Sequence, residues 1–224
     1  MAAIRCACGA VEVELAVAGD LFRLQCCCYD CNAALRYAHK RGGPPGPEDR
    51  CIDSSWFAND FRIARGADRI GAFRNFAGAD TTRFYCTECW SVLFADHAVY
   101  GGKLIVTQAA AYREFDGLAG AQRMPPRARH FIRDLTSGQQ AALPNWQGDP
   151  SHLYQGVAET LMESFPAMIE AGAQGAGMNA QVLLARIGGA FVPADEPYLT
   201  AGPPTLIQRM AAEPRPDNAD SGTQ

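Results

Sequence analysis

The sequence predicts a mainly β domain of many short strands followed by a helical C-terminal extension, and three observations carry that prediction. Residues 11–17 alternate apolar and polar. Short apolar runs broken by Gly, Asp, Asn or Pro then continue to about residue 107. After Gly148 the apolar spacing changes to steps of three and four. A period of two lines one face of a strand, whereas steps of three and four line one face of a helix.

In the first run Val11, Val13, Leu15 and Val17 share a strand face. Extended stretches follow at Phe22 and Leu24, Leu35 and Tyr37, Phe61 and Ile63, Phe73 and Phe76, Phe84, Val92 to Phe94, and Leu104 to Val106. No helical period stands out before about residue 110. Arg41-Gly-Gly-Pro-Pro-Gly-Pro47 reads as an exposed loop, because Pro cannot donate to a ladder and Gly weakens one. At Gly148-Asp149-Pro150 the character changes, with Asp149 placed to cap a helix that begins at Pro150. Val157, Leu161, Phe165, Met168 and Ile169 then form one apolar face, which Pro166 is expected to break or kink. That face is read as packing, onto the β domain or onto a second subunit, rather than as a ligand box, so a homodimer through the extension is one expectation. Further helices are expected at 178–187 and 204–212, and the last dozen residues read as frayed. The boundary divides a zinc-binding β domain at 1–148 from an extension at 149–224. No internal repeat is visible.

Length and charge limit the function. The 224 residues suffice for one ordinary domain of roughly 100–150 residues and an appendage. A net charge of −4 speaks against a nucleic-acid partner, which needs a concentrated basic face. Glu12 and Glu14 interrupt the N-terminal apolar stretch, which excludes a secretory or membrane-spanning reading and points to the cytoplasm. Nine cysteines in a reducing compartment call for metal ligation rather than disulfides.

Eight of the nine fall in three clusters: Cys6-Ala-Cys8-Gly, Cys26-Cys-Cys28-Tyr-Asp-Cys31 and Cys86-Thr-Glu-Cys89. Tetrahedral zinc with bonds of about 2.3 Å holds its thiolates roughly 3.7 Å apart. A tight turn at i and i+3 meets that spacing, as does an i, i+2 pair on one side of an extended segment. The outer pairs, Cys6 with Cys8 and Cys86 with Cys89, therefore make one closed structural site. Cys26, Cys28 and Cys31 supply three thiolates and no second local pair, which leaves a position for water or substrate and marks a catalytic zinc. The competing reading closes this site with Cys51. Cys27, on the opposite side of an extended segment, reads as a small core or surface residue, as does Cys51 if it is not a ligand. His39, His97, His130 and His152 are scattered and are left out of the metal sites. Asp30 is either turn chemistry or a proton shuttle, and Arg36, Lys40 and Arg41 are either solvated or placed to attract a carboxylate.

The order C-x-C-G, then C-x-C-x-x-C, then aromatic-Cys-x-x-Cys, with Pro126-Arg-Ala-Arg-His130-Phe-Ile further on, resembles the glutathione-dependent formaldehyde-activating enzymes and the related centromere protein V domain. The resemblance covers about residues 3–147. It implies a β-tent fold, a structural zinc on Cys6, Cys8, Cys86 and Cys89, and a second zinc on Cys26, Cys28 and Cys31. Position 27 is Cys where relatives commonly have His, position 90 is Trp where they commonly have Gly, and 149–224 has no counterpart in the minimal domain. Two functions follow as expectations. One is a carbon–sulfur lyase acting on adducts of a small thiol, such as glutathione, with a small carbonyl compound. The other is a non-catalytic zinc-stabilised module whose helical tail binds a partner.

Overall fold

The computed structural model describes residues 1–173 and 178–193, so the expected helix at 204–212 and the expected frayed end lie outside the described residues. In chain order the elements are β1 (Ala3–Arg5), β2 (Glu12–Leu15), β3 (Phe22–Cys26), α1 (Tyr29–Lys40), β4 (Ile52–Ala58) and β5 (Phe61–Arg65). They continue with β6 (Ile70–Phe73), β7 (Thr81–Cys86), β8 (Val92–His97), β9 (Leu104–Thr107), β10 (Leu118–Ala119) and β11 (Arg129–His130). Three helices follow: α2 (Ser137–Ala141), α3 (Glu159–Ala171) and α4 (Ala180–Arg186). Eleven strands in two sheets make the protein mainly β, as the alternation predicts, and consistent with a β-tent.

The smaller sheet has the order β10-β1-β2-β5 and the larger β11-β3-β4-β9-β8-β7-β6. Alternation along β2 buries Val13 and Leu15 and leaves Glu12 and Glu14 partly exposed. The glutamates accept ion pairs from Arg65 and Arg62 across the β2–β5 ladder. Aromatic rings fill the space between the sheets: Phe94 stacks on Phe84 with centroids 4.7 Å apart and meets Phe61 at 5.2 Å. Each such buried ring contributes on the order of 1.5–3 kcal/mol by leaving water. The joint before β6 depends on Gly66, at φ +71°, where an added Cβ would lie 2.2 Å from the Ala10 carbonyl oxygen. A side chain is excluded there on both counts.

Two expected elements differ. Leu35 and Tyr37 lie in α1, not in a strand, and both are buried together with Ala33, Ala34 and Ala38. The small alanines blur the helical pattern, and the cap is Cys28, whose thiol accepts from the Cys31 N–H in place of the usual Ser, Thr, Asp or Asn. In the extension, Asp149 does cap Pro150, its Oδ1 accepting from the Ser151 N–H at 2.8 Å, but only a single 3-10 turn follows. The long helix starts at Glu159 and runs through Pro166. Packing of Phe165, Met168 and Ile169 on the core beside the proline outweighs the hydrogen bond it removes. The expected helix at 178–187 is present as α4, and the 41–47 loop is irregular. Phe76 lies beyond the end of β6.

The apolar face of α3 turns to the β structure. Val157, Leu161, Phe165 and Ile169 pack against the core and Met168 is buried within it. Backbone bonds from Phe131 N–H to Gly156, from Ala173 N–H to Lys103 and from Phe61 N–H to Met178 stitch the segment in place. No helix among the described residues is long and apolar enough to cross a membrane.

Candidate metal centres and active site

Each cysteine cluster sits where a strand ends. Cys6 and Cys8 follow β1, Cys86 closes β7, and Cys89 lies in the turn to β8, so this site joins the small sheet to the large one. The four Sγ atoms lie within 4.8 Å of one another, with Cys6 to Cys8 at 3.5 Å and Cys8 to Cys86 at 3.9 Å. Those separations match the roughly 3.7 Å edge of a tetrahedral zinc–sulfur site. The Val11 N–H donates to Cys6 Sγ at 3.1 Å, and the Ser91 hydroxyl lies 3.2 Å from Cys89 Sγ. Burial pushes Cys86 up; Cys89 also feels burial, but hydrogen bonds from Ser91 bring it down to about 7.

Trp90 ends this turn at φ +54°, the left-handed region. Its ring stacks on Tyr85 with centroids 4.4 Å apart, and the Arg41 guanidinium lies 5.7 Å from its centroid. These contacts offset the backbone strain of about 1–3 kcal/mol.

The second cluster is built by the junction of β3 and α1. Cys26 is the last residue of β3, Cys28 caps α1, and Cys31 lies in its first turn. The Sγ atoms of Cys26, Cys28 and Cys31 lie within 4.8 Å of one another. No other Cys, His, Asp or Glu among the described residues belongs to the group. The positive end of α1 favours negative sulfur at this spot, and the Cys31 N–H donates to Cys28 Sγ at 3.3 Å. Cys31 is held well below the ordinary thiol range, first because Cys26 and Cys28 hydrogen-bond to it and then because Arg83 is near. Cys26 is pushed well up by its bonds to Cys28 and Cys31 and by burial. The donor set fits a thiophilic ion such as zinc with one position left for a further ligand.

Cys51 stands apart from this trio. The β3–β4 register pairs Cys26 with Ile52, so the next pair in line is Cys27 and Cys51. Cys51 donates to Gln25 Oε1 at 3.2 Å, and a hydrogen bond with Cys51 pushes buried Cys27 up. Arg23 binds Asp53 through both Nε and Nη2, at 2.7 and 2.8 Å, which holds β4 against β3.

The trio lines the foot of a cavity of about 180 Å³. Trp56, Val106, Ala95, Tyr100 and Phe131 wall it from the β domain, and Val157, Leu161, Met162 and Phe165 close it from the extension. Trp56 Nε1 donates to Tyr100 Oη at 2.8 Å, so the polar tips of both rings are satisfied. Two further groups at the cavity were not assigned to a site from the sequence. His130, 5% exposed, sits on β11 beside Cys26 in register, and neither ring nitrogen has a hydrogen-bond partner among the described residues. Burial pushes its imidazole down to about 4, so it is neutral near pH 7. Arg83, 2% exposed, also lines the cavity. Asp30 and His97 reach the wall as well, whereas Arg36, Lys40 and Arg41 do not. Arg36 and Arg41 instead lie over the rings of Tyr29 and Tyr37.

Residues 1–134 match the model of the family described as glutathione-dependent formaldehyde-activating enzyme. No curated protein matches the chain. Among solved structures, a protein of Rhodobacter sphaeroides is similar at 19% identity over 51% of this chain and 90% of its own, with a TM-score of 0.35.

Proposed function

The chain belongs to the glutathione-dependent formaldehyde-activating enzyme family, and from that membership we propose that it is a zinc-dependent enzyme that makes or breaks the carbon–sulfur bond between a small thiol and a small carbonyl compound. One observation carries the reading: three clustered thiols with no fourth protein donor among the described residues open into a cavity that also holds a buried, unpartnered histidine. Structural zinc sites are closed, whereas catalytic ones keep a position free.

In this reading Cys6, Cys8, Cys86 and Cys89 hold a structural zinc, and Cys26, Cys28 and Cys31 hold a second. Zinc at the second site supplies Lewis acidity and a seat for sulfur. Thiolate donors blunt that acidity, which suits thiol chemistry better than water activation. The protein supplies the rest. In the breaking direction a ring nitrogen of His130 takes the hydroxyl proton of the adduct. The oxygen electrons form the carbonyl, and the carbon–sulfur pair leaves on sulfur as a thiolate. The Arg83 guanidinium opposes negative charge building on oxygen. The same groups run the steps in reverse when the adduct forms. The rival reading, a non-catalytic module with a partner-binding tail, has less support because α3 turns its apolar face to the cavity and core.

X-ray absorption at the zinc edge tests the proposal on the full chain loaded with two zinc ions. One site is expected to show only sulfur and the other three sulfurs with a light atom, shifting toward four sulfurs when glutathione or another low-molecular-weight thiol is added. Sulfur-only coordination at both sites before addition, unmoved by any thiol or aldehyde, would return the protein to the non-catalytic reading.

A further inference from the structure

The cavity is built from two parts of the chain with different standing. Its foot, with the cysteines, His130 and Arg83, lies within residues 1–134, which match the family model. Its far wall of Val157, Leu161, Met162 and Phe165 comes from outside them. Whatever the shared foot does, this wall adds a demand of its own. It offers aliphatic and aromatic carbon and no charge, and Trp56 and Val106 face the same space from the sheet. Met162 is 44% exposed, so the wall reaches solvent and a ligand can enter past it.

Size narrows the demand. A cavity of about 180 Å³ is close to the roughly 150 Å³ apolar cavities that stay dry and accept a benzene-sized molecule. A peptide-like thiol with two carboxylates and an ammonium group would bring three charges to a site where Arg83 is the buried cation and Asp30 already supplies a carboxyl group. Desolvating unpaired charges against such a wall opposes binding. An uncharged ring or branched alkyl chain meets no such cost and buries its surface on both sides.

We propose that the cavity selects adducts whose thiol-derived or carbonyl-derived part carries an uncharged aryl or short alkyl group, seated between Trp56 and the α3 residues Leu161 and Phe165. This rests on the reading that sulfur chemistry occurs at Cys26, Cys28 and Cys31. The extension is then a specificity wall, and Leu161 and Phe165 are determinants of which small molecule is accepted.

Calorimetry on the zinc-loaded full chain tests the proposal with matched probes. Benzyl mercaptan is compared with 2-mercaptoethanol for the thiol source, and benzaldehyde with formaldehyde for the carbonyl source, with glutathione alongside. In at least one pair the aryl probe is expected to bind tighter by about tenfold or more, the scale of apolar discrimination by one or a few carbons. Leu161→Ser should bring that ratio toward one while zinc content stays at the level of the unaltered protein. Should the variant not fold, the probe series on the unaltered chain still decides. Equal affinity within both pairs, or glutathione as the tightest ligand, overturns the apolar selectivity and leaves the sulfur chemistry standing. X-ray absorption on the same samples separates the other failure: if no thiol alters the zinc coordination, the chemistry falls and the selectivity falls with it.

Discussion

Cys28 caps the helix that carries Cys31: its Sγ accepts the Cys31 backbone N–H at 3.3 Å. One sulfur thus belongs both to the proposed metal site and to the helix end, and the two roles can be separated. In Cys28→Ser the hydroxyl still caps, so the change in stability should stay within about 1 kcal/mol. The middle site should lose its metal, lowering zinc content by about one ion per chain. Metal analysis and thermal melting on the same sample check this, and a melt that collapses with the metal would show that the middle site supports the fold.

The outer site should behave in the opposite way. Cys86→Ser removes a ligand that ties β7 to the chain following β1, and structural zinc contributes folding free energy on the order of 10 kcal/mol in small domains. The expected product is insoluble or unfolded. A soluble Cys86→Ser protein with unchanged zinc and unchanged melting would refute the structural assignment.

Cys51→Ser should leave both metals in place, because the Cys51 thiol faces Gln25 and Cys27 and is outside the Cys26, Cys28 and Cys31 group. Loss of about one zinc on this substitution would mean that the middle site is closed by a fourth sulfur.

Asp96 sets a pH dependence away from the metals. Burial pushes its carboxyl up from 3.8 to about 6, while Gln181 Nε2 donates to Oδ2 at 2.7 Å. Between those values the folded chain holds a proton that the unfolded chain has released, so stability from this group falls as pH rises and stays lowered above about 6. Asp96→Asn keeps an acceptor for Gln181 and removes the penalty. With the side chain partly in solvent, a gain of ~1–2 kcal/mol near neutral pH is expected, fading toward pH 4. Urea melts across this range measure it, and an unchanged pH profile would show that the carboxyl is not strained.

The cysteine clusters were legible because the spacing within each pair is a local property, and the structure brings the thiols of Cys6, Cys8, Cys86 and Cys89 together as a group that could hold a metal ion. Strands with plain alternation, such as β2 and β5, were legible for the same reason. β4 was not, since its first half carries the polar run Asp53-Ser54-Ser55, of which Ser54 and Ser55 are buried, held by partners distant in sequence: Arg23, Gln108 and Asp20. α1 hid behind a cysteine cap and three alanines. His130 stood in a stretch that carried the resemblance, but nothing in the sequence tied it to the cysteines. Only the parallel pairing of β11 with β3 places it beside Cys26, and no short-range pattern encodes a pairing between residues so far apart.

The 78 positions between Cys8 and Cys86 also set a timetable. At about 5–20 residues per second, the ribosome needs roughly 4–16 s to deliver the second outer pair after the first. During that interval Cys6 and Cys8 can meet zinc, but the only other sulfurs made are those of the middle stretch and Cys51. A zinc bridging the first pair to Cys26, Cys28 or Cys31 is therefore the natural competitor of the native clamp. α1 is a local element that gathers Cys28 and Cys31 at its own end, and helices of this length form on about the microsecond scale. On the proposed zinc assignment, a helix that forms before the second outer pair is made guards against misassembly as well as flooring a pocket.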